Sequence, residues 1–404
     1  MNMFPLQSTS AARVQKTRRL FENPRGKRNT RRRRQRRQNQ GSIISDAFEL
    51  PPHDTILFGR YTFYPPDEEG TQISDCIIGK GKFGIILKAY DNITDEPVAI
   101  KREVNEDAEG GIRKNGSPES KNKMSIKHET KIMTYLFQNR FRKLPYVYWY
   151  GSQDIYQYLV MTYYKYSLEH FWNISEKTPH LLGIIFSKCI RILESIHKLY
   201  VLHRDIKPDN FMIKLGNFVS DGEQSPDFEV HLIDYGLATF WINCSGDAKN
   251  WKHIPNIKQE TITGTPKYVS YYNHIGNTIS RRDDLISLGY MFMYFMYGYL
   301  PWSISTPLSD GFLAKSKSAV LDFLENETAN IIDASGLCPD NLPAKQQMRY
   351  NAHRSSAPTA FLRMHPRQRR SRISSYMEYC YNLEFDETPN YSMISEIFST
   401  SIDL

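Results

Sequence analysis

The stretch HRDIKPDN, His203 to Asn210, sets an aspartate, a lysine and an asparagine within six positions of one another. An acid, a cation and an amide this close can take up a proton, neutralise a developing charge and offer oxygen to a metal ion. A surface loop can hold the same residues by accident. The reading therefore turns on whether partner groups occur elsewhere in the right order.

Downstream, LIDYG supplies Asp234, 24 residues past Asn210, at the end of an expected strand. Asn210 and Asp234 together are the candidate Mg²⁺ ligands, both offering hard oxygens. Upstream, GKGKFG (Gly79 to Gly84) fits G-x-G-x-x-G, a pattern that dinucleotide-binding loops share. Strands are expected on both sides of it, whereas a dinucleotide loop opens directly into a helix. Its glycines let backbone N–H groups approach phosphate oxygens, so Ile78, Gly79, Lys80, Gly81, Lys82, Phe83, Gly84, Ile85 and Ile86 are the candidate nucleotide contacts. Lys101, which closes VAIK 17 residues past Gly84, is placed to reach the α- and β-phosphates, and Glu129 on the next expected helix to hold it by an ion pair. Taken singly, Lys101 also fits a solvated strand end and Glu129 an exposed helix position. Asp205 would accept the proton of an attacking hydroxyl and Lys207 would offset charge on the moving group. Phosphoryl transfer needs such positioning and charge stabilisation more than covalent chemistry.

This ordered set is the protein-kinase signature. Two longer stretches, His253–Trp302 with SRRDDLISLGY inside it and EYCYNLEFDETPNYSMISEIF (Glu378–Phe398), resemble the casein kinase I family. The resemblance spans roughly Gln72 to Phe398. It implies an α+β, two-lobed protein-kinase fold, with a small strand-rich lobe before a larger helical one, acting as a serine/threonine kinase on ATP and Mg²⁺. It further implies that Thr265 bonds Asp205 and Lys207, and that Asp284 anchors the catalytic loop from a buried helix over Leu285–Tyr299. Met161 resembles the gatekeeper, and Thr162 to Tyr164 the hinge whose backbone reads adenine. The family favours acidic or already phosphorylated protein sites and needs no phosphate on its activation segment. Like that family the chain lacks A-P-E, with Ser270-Tyr271-Tyr272 at that place; it departs from the pattern at Tyr235, where phenylalanine is usual, and at Lys267, where the family has a phosphate-binding arginine.

Composition sets the frame. With 40% hydrophobic and 24% charged residues, the 404-residue chain has the make-up of a soluble globular protein. Five scattered cysteines, with no CxxC pair, speak against a disulfide framework or zinc site and for an intracellular home. That home is nucleus or cytoplasm, or a host cell or virion if the source is viral. The longest apolar run, Leu288–Trp302, is shorter than the ~20 residues of a membrane span and reads as a core helix ending at Pro301.

Of the net charge of +8, residues 1–41 contribute +12, from 13 Lys/Arg between Arg13 and Arg37 against Glu22, so the rest carries −4. Residues 1–50 lack apolar periodicity and are expected to be a disordered arginine-rich tail. The tail reads as a nuclear localisation signal met by an import factor, as a nucleic-acid-binding arm, or as a solubilising or targeting extension, and its arginine density favours a polyanion partner. The kinase domain is expected over 72–400, as a monomer, with insertions near 103–124, 216–228 and 326–372. Two other readings stay open: a catalytically inactive kinase-fold scaffold, and a nucleic-acid-binding protein acting through the tail. Lys101, Glu129, Asp205, Lys207, Asn210 and Asp234 are all present, which separates this chain from the usual inactive scaffold.

Overall fold

The computed structural model describes residues 56–63, 76–80, 84–104, 126–216, 228–243, 251–303, 320 and 366–399. The arginine-rich stretch, Gly81, Lys82 and Phe83, and most of the three expected insertions lie outside them. Residues 366–372, at the end of the third expected insertion, belong to a helix, Pro366–Asn382.

The β-branched and aromatic first half forms seven strands: β1 (Ile56–Leu57), β2 (Tyr61–Thr62), β3 (Ile77–Lys80), β4 (Gly84–Asp91), β5 (Glu96–Val104), β6 (Val147–Gln153) and β7 (Tyr156–Thr162). They make one antiparallel sheet in the order β1-β2-β4-β5-β7-β6, with β3 also paired to β4. Strand alternation gives the sheet two different faces. Ile85, Leu87, Val98, Ile100 and Val160 close a small core with Leu57, Tyr61 and Phe63. Ala99, Leu159 and Met161 instead join the large core, together with helix α1 (Ile126–Gln138). Lys101 follows Ile100 by one residue, so the pleat puts it on the Ala99 face, towards α1.

Helix α1 buries Ile126, Glu129, Ile132, Met133 and Leu136. Phe137 lies a further 100° around the helix from Leu136, beyond that stripe. It is only half-buried, and its ring meets Tyr146 edge-to-face at 5.3 Å.

In the helical half, α2 (Pro179–Lys198) starts where the Thr178 side chain accepts from Leu181 N. It buries Leu182, Ile185, Cys189, Ile192, Leu193 and Ile196. Helix α3 spans Arg281–Tyr297, not Leu285–Tyr299. It begins earlier because Asp283 Oδ2 accepts the Ser280 N–H at 2.7 Å. It ends before Pro301 because Gly298 adopts φ 81°, the left-handed cap that glycine takes without penalty. Its residues from Arg281 to Met293 are buried, so the helix is enclosed on all sides. Helices α4 (Pro366–Asn382) and α5 (Tyr391–Ser399) close the large core through Tyr376, Met377, Ile394 and Phe398.

Short strands carry the HRDIKPDN stretch: β8 (Tyr166–Ser167), β9 (Val201–Leu202), β10 (Phe211–Leu215), β11 (Phe228–Leu232) and β12 (Thr239–Phe240). β9 pairs with β12, and β10 pairs with both β8 and β11. The stretch is therefore a loop pinned by ladders on both sides. No helix among the described residues is long and apolar enough to cross a membrane.

Candidate active site

Lys101 sits mid-strand on β5, in register with Ile86 of β4 and Leu159 of β7. Its Nζ lies 2.7 Å from Glu129 Oε2 and 3.0 Å from Asp234 Oδ1. Burial disfavours charge on this lysine, but the two carboxylates outweigh it and hold its pKa above the ordinary lysine value. Asp234 feels burial in the same way and is nevertheless held below the ordinary carboxylate value by Lys101. Glu129 is sealed, its side chain 2% exposed, while that of Asp234 is 42% exposed. The lysine is thus clamped from behind by one acid and shared in front with another that is open to solvent. His128, next to Glu129, donates from Nε2 to Ala238 O at 2.7 Å and ties α1 to the segment after Asp234.

Asp205 is 7% exposed and accepts four hydrogen bonds. Oδ1 takes Thr265 N at 2.8 Å and Thr265 Oγ1 at 2.7 Å; Oδ2 takes Lys207 Nζ at 2.8 Å and Asn210 Nδ2 at 3.1 Å. Lys207 Nζ also donates to Thr265 Oγ1 at 3.0 Å. Thr265, 60 residues downstream, is brought in through Gly264, whose φ is +103°. A Cβ on Gly264 would stand 2.5 Å from Arg204 O, so only glycine lets the two segments meet.

Two loop residues other than glycine, Arg204 (φ 67°) and Asp234 (φ 62°), hold left-handed backbone beside these carboxylates. Surrounding bonds fix both segments. His203 is fully buried; its Nε2 donates to Ile233 O at 2.9 Å, and its Nδ1 accepts from Asp205 N at 3.4 Å. Arg204 Nε donates to Leu237 O at 2.6 Å, and burial lowers its pKa to about 10. Asp284, 1% exposed on α3, accepts His203 N at 2.8 Å, Arg204 N at 2.9 Å and His197 Nε2 at 3.1 Å. Sequence reasoning assigned no part to His203, Arg204 or His197, although the first two open the very stretch it started from.

The donor set suits Mg²⁺. The Asn210 amide nitrogen is committed to Asp205 O at 2.8 Å, which leaves its oxygen as the ligand atom. Ile233 N donates to Asn210 O at 2.9 Å and so brings Asn210 beside Asp234. One carboxylate and one amide oxygen fit a small hard cation that takes its remaining ligands from water and phosphate.

The candidate nucleotide contacts divide by face. Gly79 packs on Ile86, which lies on the Lys101 face, and Ile78 is left 45% exposed. Ile85 is 1% exposed in the small core, on the opposite face from Lys101, so its side chain does not enter this cleft. Gly84 presses on β5, where a Cβ would fall 1.9 Å from Arg102 O. Met161 is 7% exposed and pairs with Ala99 in the next strand position but one from Lys101. Tyr164 is tied by its hydroxyl to His231 Nδ1 at 3.0 Å. Tyr235 is fully buried, edge-to-face with His203 at 5.1 Å, and burial raises its pKa.

Comparison with known proteins decides the family. A model described as "Protein kinase domain" matches residues 74–373. The chain belongs to the protein kinase family. It is also 27% identical over 325 residues to "Casein kinase I homolog 3" of Schizosaccharomyces pombe, which covers 80% of this chain. The chain spans about three fifths of that relative's length, 60%. The chain thus has the two-lobed α+β fold of its family and is similar in sequence to a casein kinase I homolog.

Proposed function

We propose that the chain is a catalytically active serine/threonine protein kinase, transferring the terminal phosphate of Mg·ATP to hydroxyls in acidic protein segments. The observation that carries this reading is the Asp205 carboxylate, satisfied by Lys207, Thr265 and Asn210 at 2.7–3.1 Å. Bound Mg·ATP supplies the phosphoryl group and the metal charge. Asp205 orients the incoming hydroxyl and takes its proton. Lys207, already hydrogen-bonded to Asp205 and Thr265, offsets charge on the group in transit. Lys101 grips phosphate oxygens, and Glu129 holds it from behind. Asn210 and Asp234 hold the metal. Arg204 donates to Leu237 O. The segment after Asp234 is thus held at a backbone carbonyl by the Arg204 side chain, which supports activity without phosphorylation there.

Acidic sites are the proposed substrates, with a weak dependence on a phosphate already in place. Lys267 Nζ lies 4.1 Å from the Tyr294 ring centre and 5.1 Å from that of Tyr268. Burial lowers its pKa, against the opposing pull of Glu169 and Asp209. A lysine held against aromatic rings, with acids nearby, offers an incoming phosphate less than an arginine fork would.

The test is transfer from Mg·ATP to casein and to an acidic serine peptide, wild type beside Asp205→Asn. Loss of a general base costs ~10²–10⁴-fold. Transfer to serine or threonine that disappears in the variant supports the reading. Equal silence from two folded proteins overturns it in favour of a scaffold.

A further inference from the structure

Tyr391 opens helix α5 and lies far along the chain from the catalytic loop, yet its hydroxyl is 2.6 Å from His197 Nδ1. His197 is 1% exposed, and its other nitrogen, Nε2, is 3.1 Å from Asp284 Oδ2. The same carboxylate receives the backbone N–H groups of His203 and Arg204, the two residues before Asp205. A continuous hydrogen-bonded path therefore runs from the C-terminal helix to the loop that carries the candidate base.

The direction of each bond follows from what each group can donate. Burial by itself would raise the pKa of Asp284, but the N–H donors around it prevail and hold it below the ordinary carboxylate value. Asp284 is thus an acceptor only, and Nε2 of His197 must carry the hydrogen between them. Burial keeps His197 below the ordinary histidine pKa in spite of Asp284, so the ring is neutral and Nδ1 is a bare acceptor. The Tyr391 hydroxyl then has one role available, that of donor to Nδ1. Without it, a buried acceptor stays unsatisfied, or the ring proton moves to Nδ1 and turns a lone pair onto the Asp284 carboxylate. Either outcome weakens the grip on His203 and Arg204.

We infer that Tyr391 is a positioning residue for phosphoryl transfer, its hydroxyl selecting the His197 tautomer that steadies Asp284 and the backbone leading into Asp205. The hydroxyl is separable from the packing of its helix. Ile394 is fully buried, and the Phe398 ring lies 4.8 Å from Phe292 and 5.4 Å from Tyr376. These contacts do not involve the tyrosine oxygen.

The inference rests on the kinase reading only for its activity measurement, so the test has three arms on the full chain. Tyr391→Phe is expected to lower kcat roughly 5- to 10-fold, the effect of one buried hydrogen bond felt at the transition state. KM for ATP and for the peptide should stay within about twofold, because the residues that hold them are untouched. Amide exchange at His203 and Arg204 should quicken in the variant. In the wild type, ¹⁵N NMR should show His197 with its proton on Nε2 and a pyridine-like Nδ1. Unchanged kcat and amide exchange in Tyr391→Phe, or a wild-type proton on Nδ1, overturns the inference. A wild type that transfers no phosphate counts against the kinase reading alone, since the tautomer and the amide exchange still decide this one. If Tyr391→Phe does not fold, the wild-type tautomer decides.

Discussion

Two aspartates govern one loop, and their partners differ in kind. Asp284 holds the loop from helix α3, and its donors are two main-chain N–H groups and a buried imidazole. Asp205, inside the loop, is held by a lysine, a threonine and an amide side chain, with a single main-chain donor. The donors to Asp284 cannot leave without unfolding something. The Lys207 ammonium and the Thr265 hydroxyl can turn towards a substrate while the backbone stays still. The difference teaches how one fold can keep a carboxylate both fixed and usable: rigid bonds frame the loop, and exchangeable bonds hold the proposed base.

That contrast breaks most readily under a paired substitution. Asp205→Asn keeps an oxygen for Thr265 and is expected to change unfolding free energy by about 1 kcal/mol or less. Its cost falls on transfer, at ~10²–10⁴-fold. Asp284→Ala strands His203 N, Arg204 N and His197 Nε2 in the interior and is expected to lose about 3–5 kcal/mol. Urea unfolding of the two variants reads the difference. If Asp284→Ala unfolds no more readily than Asp205→Asn, the division between frame and reacting group is wrong.

Lys267 tests whether an exchangeable contact of the Asp205 type also exists for a second phosphate. Its ammonium packs against Tyr294, whose hydroxyl donates to Glu169 Oε1 at 2.7 Å. Binding a phosphate means leaving the ring and approaching an acid-lined edge. The kcat/KM ratio for a primed peptide over its unprimed twin is therefore expected to stay below about a hundredfold, less than a bidentate arginine contact can supply. A ratio above that shows that Lys267 swings free as readily as Lys207 does. Lys267→Arg sharpens the point, because it should raise the ratio.

The parts of this arrangement that sequence shows are those encoded by short spacing. Lys101, Asp205, Asn210 and Asp234 sit in brief motifs whose order alone declares a joint task, and Thr265 and Asp284 follow from longer family-like stretches. The His197–Tyr391 bond joins residues 194 apart and leaves no local pattern to read. Helix ends were missed for a different reason. Asp283 and Gly298 are ordinary cap signals, but a run as apolar as Leu288–Trp302 masks where the helix begins and stops. Phe137 and Ile132 both fit an apolar stripe at a spacing of three or four, and only packing against the sheet selects Ile132. Ile85 and Ile86 are adjacent and alike in sequence, yet the pleat sends one to the small core and the other to the cleft face.

The smallest expected effect is at Tyr235, and it carries the comparison into a case of opposite sign. Like Asp284, this side chain is shut away from water, at 0% exposure. Unlike Asp284, its polar atom has no hydrogen-bond partner among the described residues. Burying a hydroxyl without a partner costs free energy that a phenyl ring does not incur. Tyr235→Phe is therefore expected to raise unfolding free energy by about 1 kcal/mol, seen as a higher urea midpoint at unchanged slope. A lower midpoint sinks the idea, because the hydroxyl then has a partner supplied from outside the described residues. A higher one shows that burial alone does not make a polar group part of the frame. Asp284 belongs to it because three donors meet it there, and the Tyr235 hydroxyl does not because none does.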